Sequence, residues 1–303
     1  EPRDPYPLRD LSEFKAEKKS TLLPWLEENF SDISQCVTFQ CSSDLDLCDN
    51  ALETNYDGPD SKPPCCTHIL RDMLRDFDIA MQNLMLNYFV GFGTLLGLVR
   101  GGRVVPWTID NDITLGNAKA LRLVFEQWNA QNTGMLPIYP SVSRKVSRGV
   151  PRMCATSNFA GGRLRKWEIP TPIDPESTLP VLFQDRGHPY MDFYFGTDMD
   201  HDTWGDEYRR CQHFRNDVFP VKRYSVYGGQ FALNFPAEPA ALLNRYYGED
   251  WMQPKRDDSG HGEPLMICRV NYGLEDPPPA ASVSRMKSLL KRNKKDVKSA
   301  PKK

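Results

Sequence analysis

Tyr88-Phe89-Val90 runs straight into Gly91 and Gly93, and Thr94-Leu95-Leu96 follows as the opening of a helix. A buried strand that breaks on glycines and restarts as a helix strongly restricts the local fold. Glycine lets the backbone turn sharply and approach a ligand closely, and a helix N-terminus offers free N–H groups with a favourable dipole. Downstream come Arg100 and Arg103, then Pro106-Trp107, then Asp110 and Asp112, so that Gly93 to Asp112 reads GTLLGLVRGGRVVPWTIDND. The last part of this block opens a second strand, roughly Thr108 to Leu115.

Two aspartates spaced by one residue lie on the same face of a strand. Their charges repel unless a cation sits between them, and a hard divalent ion shared with substrate phosphates answers that need. The block therefore predicts Mg²⁺ or Mn²⁺ on Asp110 and Asp112. A third acid is expected from YMDFYF, residues 190 to 195, an aromatic-rich strand in which a lone Asp192 would be costly if unpaired. Gly93, Thr94, Arg100 and Arg103 are the expected phosphate-handling residues. Lys166, with Arg163 and Arg165 in a Gly-Gly-rich loop, would bind donor phosphate or an anionic glycan, or else form a solvated turn. An isolated Asp-x-Asp is usually a solvated turn; the conjunction with the strand, glycines, helix and distant strand aspartate points to a metal and phosphate site. Asp110, Asp112 and Asp192 are the expected catalytic set. His188 and His213 can be catalytic or structural, and Tyr247 and Trp251 read as core packing.

Around this block, apolar spacing predicts a helix from Thr67 to about Asn87 and another from Ala118 to Asn129. Short strands and turns are expected over 137–170, and a helix from Ala240 to Tyr247 stops at Gly248. Strands and helices without a regular βαβ rhythm indicate an α+β or mixed α/β domain. The expected organisation is a polar extension or stem at 1–35, a cysteine-rich loop at 36–66, a catalytic domain at 67–276 and a basic tail at 277–303 whose composition predicts disorder. A formal net charge of −2 over 303 residues excludes a global field for nucleic acid or membrane. No run reaches the roughly 20 apolar residues of a membrane span. The chain begins with Glu, which fits a processed or truncated chain, so the absence of a signal peptide or membrane anchor here proves little.

Of the eight cysteines, five fall between Cys36 and Cys66. Cys41, Cys48, Cys65 and Cys66 can form a thiolate zinc site, or can pair as disulfides in an oxidising compartment; His68 nearby is expected to cap or pack at the helix start, with replacement of one thiolate as the alternative. Cys36 stands outside that set, free or paired with a distant cysteine. The tripeptide Asn29-Phe30-Ser31 is a glycosylation sequon and mildly favours a secretory setting.

GTLLGLVR followed by PWTIDND resembles the signature of the LicD family, within the nucleotidyltransferase-fold superfamily. The similarity extends to YMDFYF and to Tyr247-Gly248-Glu249-Asp250-Trp251 with Pro254, covering about residues 65 to 254. The spacing of Cys41, Cys48 and the Cys65-Cys66 pair resembles the zinc loop of the family's fukutin-related branch. The resemblance implies a nucleotidyltransferase-type mixed sheet flanked by helices, structural Zn²⁺ in the cysteine loop and Mg²⁺ or Mn²⁺ at the aspartates. It also implies transfer of a phospho-alcohol, of the ribitol phosphate or phosphocholine type, from a CDP-linked donor to a glycan or glycoprotein acceptor. The implied setting is the secretory lumen, in the Golgi or as a secreted protein. Two positions depart from the pattern. Thr108 stands where the family often has a first aspartate, and Phe92 interrupts a small-residue stretch, where it is expected to narrow the phosphate pocket. Nucleotidyl transfer on the same fold and an inactive, glycan- or partner-binding relative are the rival readings.

Overall fold

A computed structural model describes residues 19–30, 35–38, 67–105, 108, 110–131, 134–139, 150–159, 171–172, 189–198, 201–206 and 212–253. In chain order the elements are α1 (Lys19–Asn29), β1 (Val37–Thr38), α2 (Thr67–Leu84), β2 (Tyr88–Val90), α3 (Phe92–Gly101), β3 (Asp110–Leu115), α4 (Ala118–Gln131), β4 (Met135–Ile138), β5 (Arg152–Ala155), β6 (Thr171–Pro172), β7 (Tyr190–Asp198), β8 (Thr203–Asp206), β9 (Gln212–Phe214), α5 (Arg215–Val218), β10 (Lys222–Val226), β11 (Phe231–Phe235) and α6 (Pro239–Tyr247).

A seven-stranded sheet follows the path β2-β3-β7-β5-β4, with β8 on the far part of β7 and β9 beside β8. β3 and β7 are parallel, while β2–β3, β5–β7, β4–β5, β7–β8 and β8–β9 are antiparallel. A parallel pair needs a long crossover, and α4 with β4 and β5 lies within it. β10 and β11 form a separate hairpin, and β1 pairs with β6. The architecture is mixed α/β.

Alternation along β3 and β7 divides the sheet's surroundings. On one face Phe193 meets Phe77 of α2 and Phe125 of α4 with ring centroids 5.5 and 5.6 Å apart, and Phe77 stacks on Trp128 at 5.5 Å. Asn111 points the same way and donates to Leu70 O at 3.0 Å, which ties α2 to β3. On the other face Phe92 lies against Tyr194 and Tyr246, at 4.6 and 4.4 Å. Farther along that face Trp204 covers Gly196, where an added Cβ would stand 2.0 Å from the indole. α1, from the stretch read as an extension, packs on α4: Phe30 meets Phe125 at 5.2 Å and the Arg122 guanidinium covers the Trp25 ring at 4.4 Å.

The helix after the glycines begins at Phe92, two residues before Thr94, and the strand after it begins at Asp110. Phe92 is 2% exposed and buried between two tyrosines, so it fills the core and does not line a pocket as expected. Cys36, left open by the sequence, forms a disulfide with Cys154 of β5. The cysteine quartet at 41, 48, 65 and 66, the Arg163–Lys166 loop, His188, Pro254 and the basic tail lie outside the described residues. Among the described residues, no helix is long and apolar enough to cross a membrane.

Candidate active site

β3 and β7 pair in a register that sets Asp110 opposite Tyr190 and Asp112 opposite Asp192. Because side chains alternate, Asp110, Asp112 and Asp192 emerge on one face. Each offers a carboxylate oxygen within 4.8 Å of the other two. Asp112 and Asp192 are buried, while Asp110 is partly exposed and forms the solvent side of the group.

Each carboxylate is held by a donor. The Thr94 backbone N–H donates to Asp112 Oδ2 at 3.3 Å, and the Thr94 hydroxyl accepts from the Asp112 N–H at 2.7 Å. The N-terminus of α3 therefore faces the acid group. The Gly91 N–H donates to Asp112 O at 2.9 Å. A Cβ at Gly91 would lie 2.9 Å from Thr114 Oγ1, and one at Gly93 would lie 3.3 Å from Asp112 Oδ2. The glycines allow this approach of helix start to strand. Thr108 donates its hydroxyl proton to Asp110 Oδ1 at 2.7 Å. The position that departs from the family pattern thus supports the next acid along.

Asp192 is held by Arg152 and Tyr194, neither of which the sequence had singled out. Arg152, paired opposite it from β5, donates Nε–H to Oδ1 at 2.6 Å. The Tyr194 hydroxyl donates to Oδ2 at 3.3 Å. The Arg152 guanidinium also covers the Tyr190 ring at 4.5 Å. Burial pulls the Arg152 pKa down, but the Asp192 carboxylate and Tyr190 outweigh it and the net shift is upward. Burial, then the charges of Asp110 and Asp192, push the Tyr190 phenol well up, so it stays protonated. The available signal for Arg152 is the one that marked Asp192: a lone charge in an apolar strand, here Pro151 to Ala155.

Other expected residues lie elsewhere in the fold. Arg100 is near the C-terminal end of α3, six residues or about 9 Å along the axis from Thr94. Its Nε–H donates to Trp251 O at 2.7 Å and an Nη–H to Gln253 O at 3.0 Å, tying the helix to the turn after α6. Arg103 lies in the loop after α3, near Tyr227, whose hydroxyl accepts from the Val104 N–H at 3.3 Å. Tyr247 and Trp251 are core residues. His213 is fully buried beside Trp204, with Nε2 3.2 Å from the Tyr246 hydroxyl. His68 is buried at the start of α2.

An ion of Mg²⁺ size joins oxygens about 2.1 Å from itself, hence roughly 3–4 Å from one another. Carboxylate oxygens already within 4.8 Å need small rotations to meet that geometry. The donor set, all hard oxygen, suits Mg²⁺ or Mn²⁺. The face carries carboxylates for a cation and, at α3, a positive helix end beside them.

No protein-family model matches the chain. Among curated proteins, ribitol 5-phosphate transferase FKRP of Homo sapiens is 34% identical over 65 residues. The same protein of Mus musculus gives an equal match, covering 20% of this chain and 13% of the relative. The chain is thus similar to a transferase over a short segment that spans about an eighth of the curated relatives' length.

Proposed function

We propose that the chain is a metal-dependent phosphotransferase that moves a phospho-alcohol from a CDP-linked donor to a glycan acceptor. The observation that carries this reading is the meeting of Asp110, Asp112 and Asp192 within 4.8 Å beside the start of α3. The segmental similarity to a ribitol 5-phosphate transferase supports the transfer class, with ribitol phosphate or phosphocholine as the moving group. The LicD-like motifs support the same class and a nucleotidyltransferase-type catalytic domain over 67–276.

Asp110, Asp112 and Asp192 would hold Mg²⁺ or Mn²⁺. Bound there, the ion would neutralise charge on the donor diphosphate and align the displacement at phosphorus. Thr108 and Thr94 fix the angles at which Asp110 and Asp112 present their oxygens. The helix start at Gly93 and Thr94 lies where diphosphate oxygens would approach the acids. In the transfer, an acceptor hydroxyl oxygen bonds to the alcohol-bearing phosphorus, the bond from that phosphorus to CMP breaks, and the hydroxyl proton is released. Thr108 supports Asp110 in the position of an absent first acid, which favours an active enzyme over an inactive relative.

We assign the cysteine quartet at 41, 48, 65 and 66 to structural Zn²⁺, which metal analysis of the purified protein tests. We place the protein in the secretory lumen, in the Golgi or beyond it. The Cys36–Cys154 disulfide supports an oxidising compartment.

The function is tested by incubating purified protein with CDP-ribitol, CDP-choline and plain nucleotides, with Mg²⁺ or Mn²⁺ and a glycan acceptor, and following CMP release. One CDP-linked donor should be consumed. Asp110→Asn and Asp112→Asn should each lose turnover by two orders of magnitude or more while remaining folded (about 10²–10³, as for loss of one electrostatic stabiliser). Wild-type rates in both variants would overturn the assignment.

A further inference from the structure

Three carboxylates brought within 4.8 Å carry three negative charges, two of them on buried side chains. Arg152 brings one positive charge to the same group, with a side chain only 12% exposed. It is anchored by the Asp192 carboxylate at 2.6 Å and the Tyr190 ring at 4.5 Å. The strand that carries it is fastened two residues later by the Cys154 disulfide. Among the described residues, the balance of three acids and one guanidinium matches a single divalent ion. The guanidinium also occupies Oδ1 of Asp192, and this contact orients the carboxylate within the group.

We propose that Arg152 is a positioning residue that acts as a standing counter-ion. It keeps the aspartates assembled when no metal is bound, and it restrains the affinity of the site for a divalent cation so that one ion is held and exchanged. The proposal rests on the metal-site reading above. A permanent positive charge beside the carboxylates lowers their attraction for a cation, and removing it takes the guanidinium from the buried Asp192 carboxylate and leaves that charge poorly compensated. The planar guanidinium suits the place because it can bond the carboxylate and stack on the tyrosine at once.

The test is titration of Mn²⁺ into wild type, Arg152→Met and Arg152→Lys by calorimetry, with thermal melts of each protein with and without Mn²⁺. Wild type should bind one ion. Arg152→Met should melt lower than wild type without metal, bind Mn²⁺ about tenfold more tightly, and recover most of the lost melting temperature when metal is added. Arg152→Lys keeps the charge and should stay within about threefold of wild-type affinity. A role in packing alone would leave Arg152→Met weaker or unchanged in Mn²⁺ affinity and would leave its melting deficit in place with metal; either result overturns the proposal. Should Arg152→Met fail to fold, Arg152→Gln carries the same expectation. Wild type that takes up no Mn²⁺ overturns the metal reading itself, a failure distinct from unchanged affinity in the variant.

Discussion

Thr94 and Asp112 hold each other through two hydrogen bonds, one to the Thr94 hydroxyl at 2.7 Å and one from its backbone N–H at 3.3 Å. This reciprocal contact joins the start of α3 to β3 and fixes the buried acid. Thr94→Val keeps the shape but leaves the Asp112 N–H without its acceptor in a buried place. The expected cost is about 1–3 kcal/mol. Denaturant unfolding of Thr94→Val beside Thr94→Ser checks it, since serine keeps the hydroxyl and should stay closer to wild type. Equal stability of the valine and serine variants would contradict the role given to the hydroxyl.

Gly97 sets a second contact on the same helix. A Cβ there would lie 2.5 Å from Val105 N and 2.8 Å from Arg103 O, both backbone atoms that cannot rotate away. The loop they belong to leads toward Thr108 and Asp110. Gly97→Ala should therefore destabilise by about 1–3 kcal/mol, the usual range for overpacking. It should also weaken Mn²⁺ binding, because the chain runs from that loop into Asp110 at the start of β3. A wild-type melting curve would show that the loop yields freely.

The acids are legible in the sequence because their signals are local. A period of two places Asp110 with Asp112, and a single carboxylate in YMDFYF calls for a partner. Asp192 is expected to join them, but the register that sets it opposite Asp112 is not legible, since it depends on the parallel pairing of β3 and β7 across a long connection. Arg152 carries the same local signal as Asp192, but its partner becomes evident only when β5 is laid beside β7. Arg100 looks like a phosphate ligand by proximity along the chain, yet helical rise carries it to the other end of α3. The β10–β11 hairpin does have a readable mark. Gly228 and Gly229, both at positive φ, separate two short runs that carry Tyr224 and Val226 on one side and Phe231 and Phe235 on the other.

Cys36 and Cys154 close a loop with a sequence separation of 118, at a Cα–Cα distance of 5.6 Å. Restraining so long a loop in the unfolded chain is worth about 4–5 kcal/mol in the chain-entropy model. Replacing both cysteines with alanine should cost about 2–5 kcal/mol, seen as a lower denaturant midpoint. Reductant should lower the wild-type midpoint and leave that of the double variant unmoved. Insensitivity of wild type to reductant would remove the disulfide from the account of stability.

His213 makes stability depend on pH. Full burial, then the nearby Arg245 charge, pull its pKa down to about 3. In the unfolded chain it should titrate near 6.5. Between these values the unfolded state holds the extra proton, so stability rises with pH. The contribution is complete above about pH 6.5 and is lost progressively as pH falls toward the folded value, by at most a few kcal/mol. Asp217 works in the opposite direction: burial raises its carboxyl, Arg245 opposes that and Glu238 adds to it, so its protonated form favours folding at low pH. The two therefore offset in part, and the larger histidine shift should set the sign. His213→Phe keeps an aromatic ring against Trp204 and Tyr246 but cannot titrate. Its unfolding free energy, measured from about pH 7 to about pH 4, should fall less steeply than that of wild type. Identical slopes for the two proteins would show that His213 does not govern the acid limb.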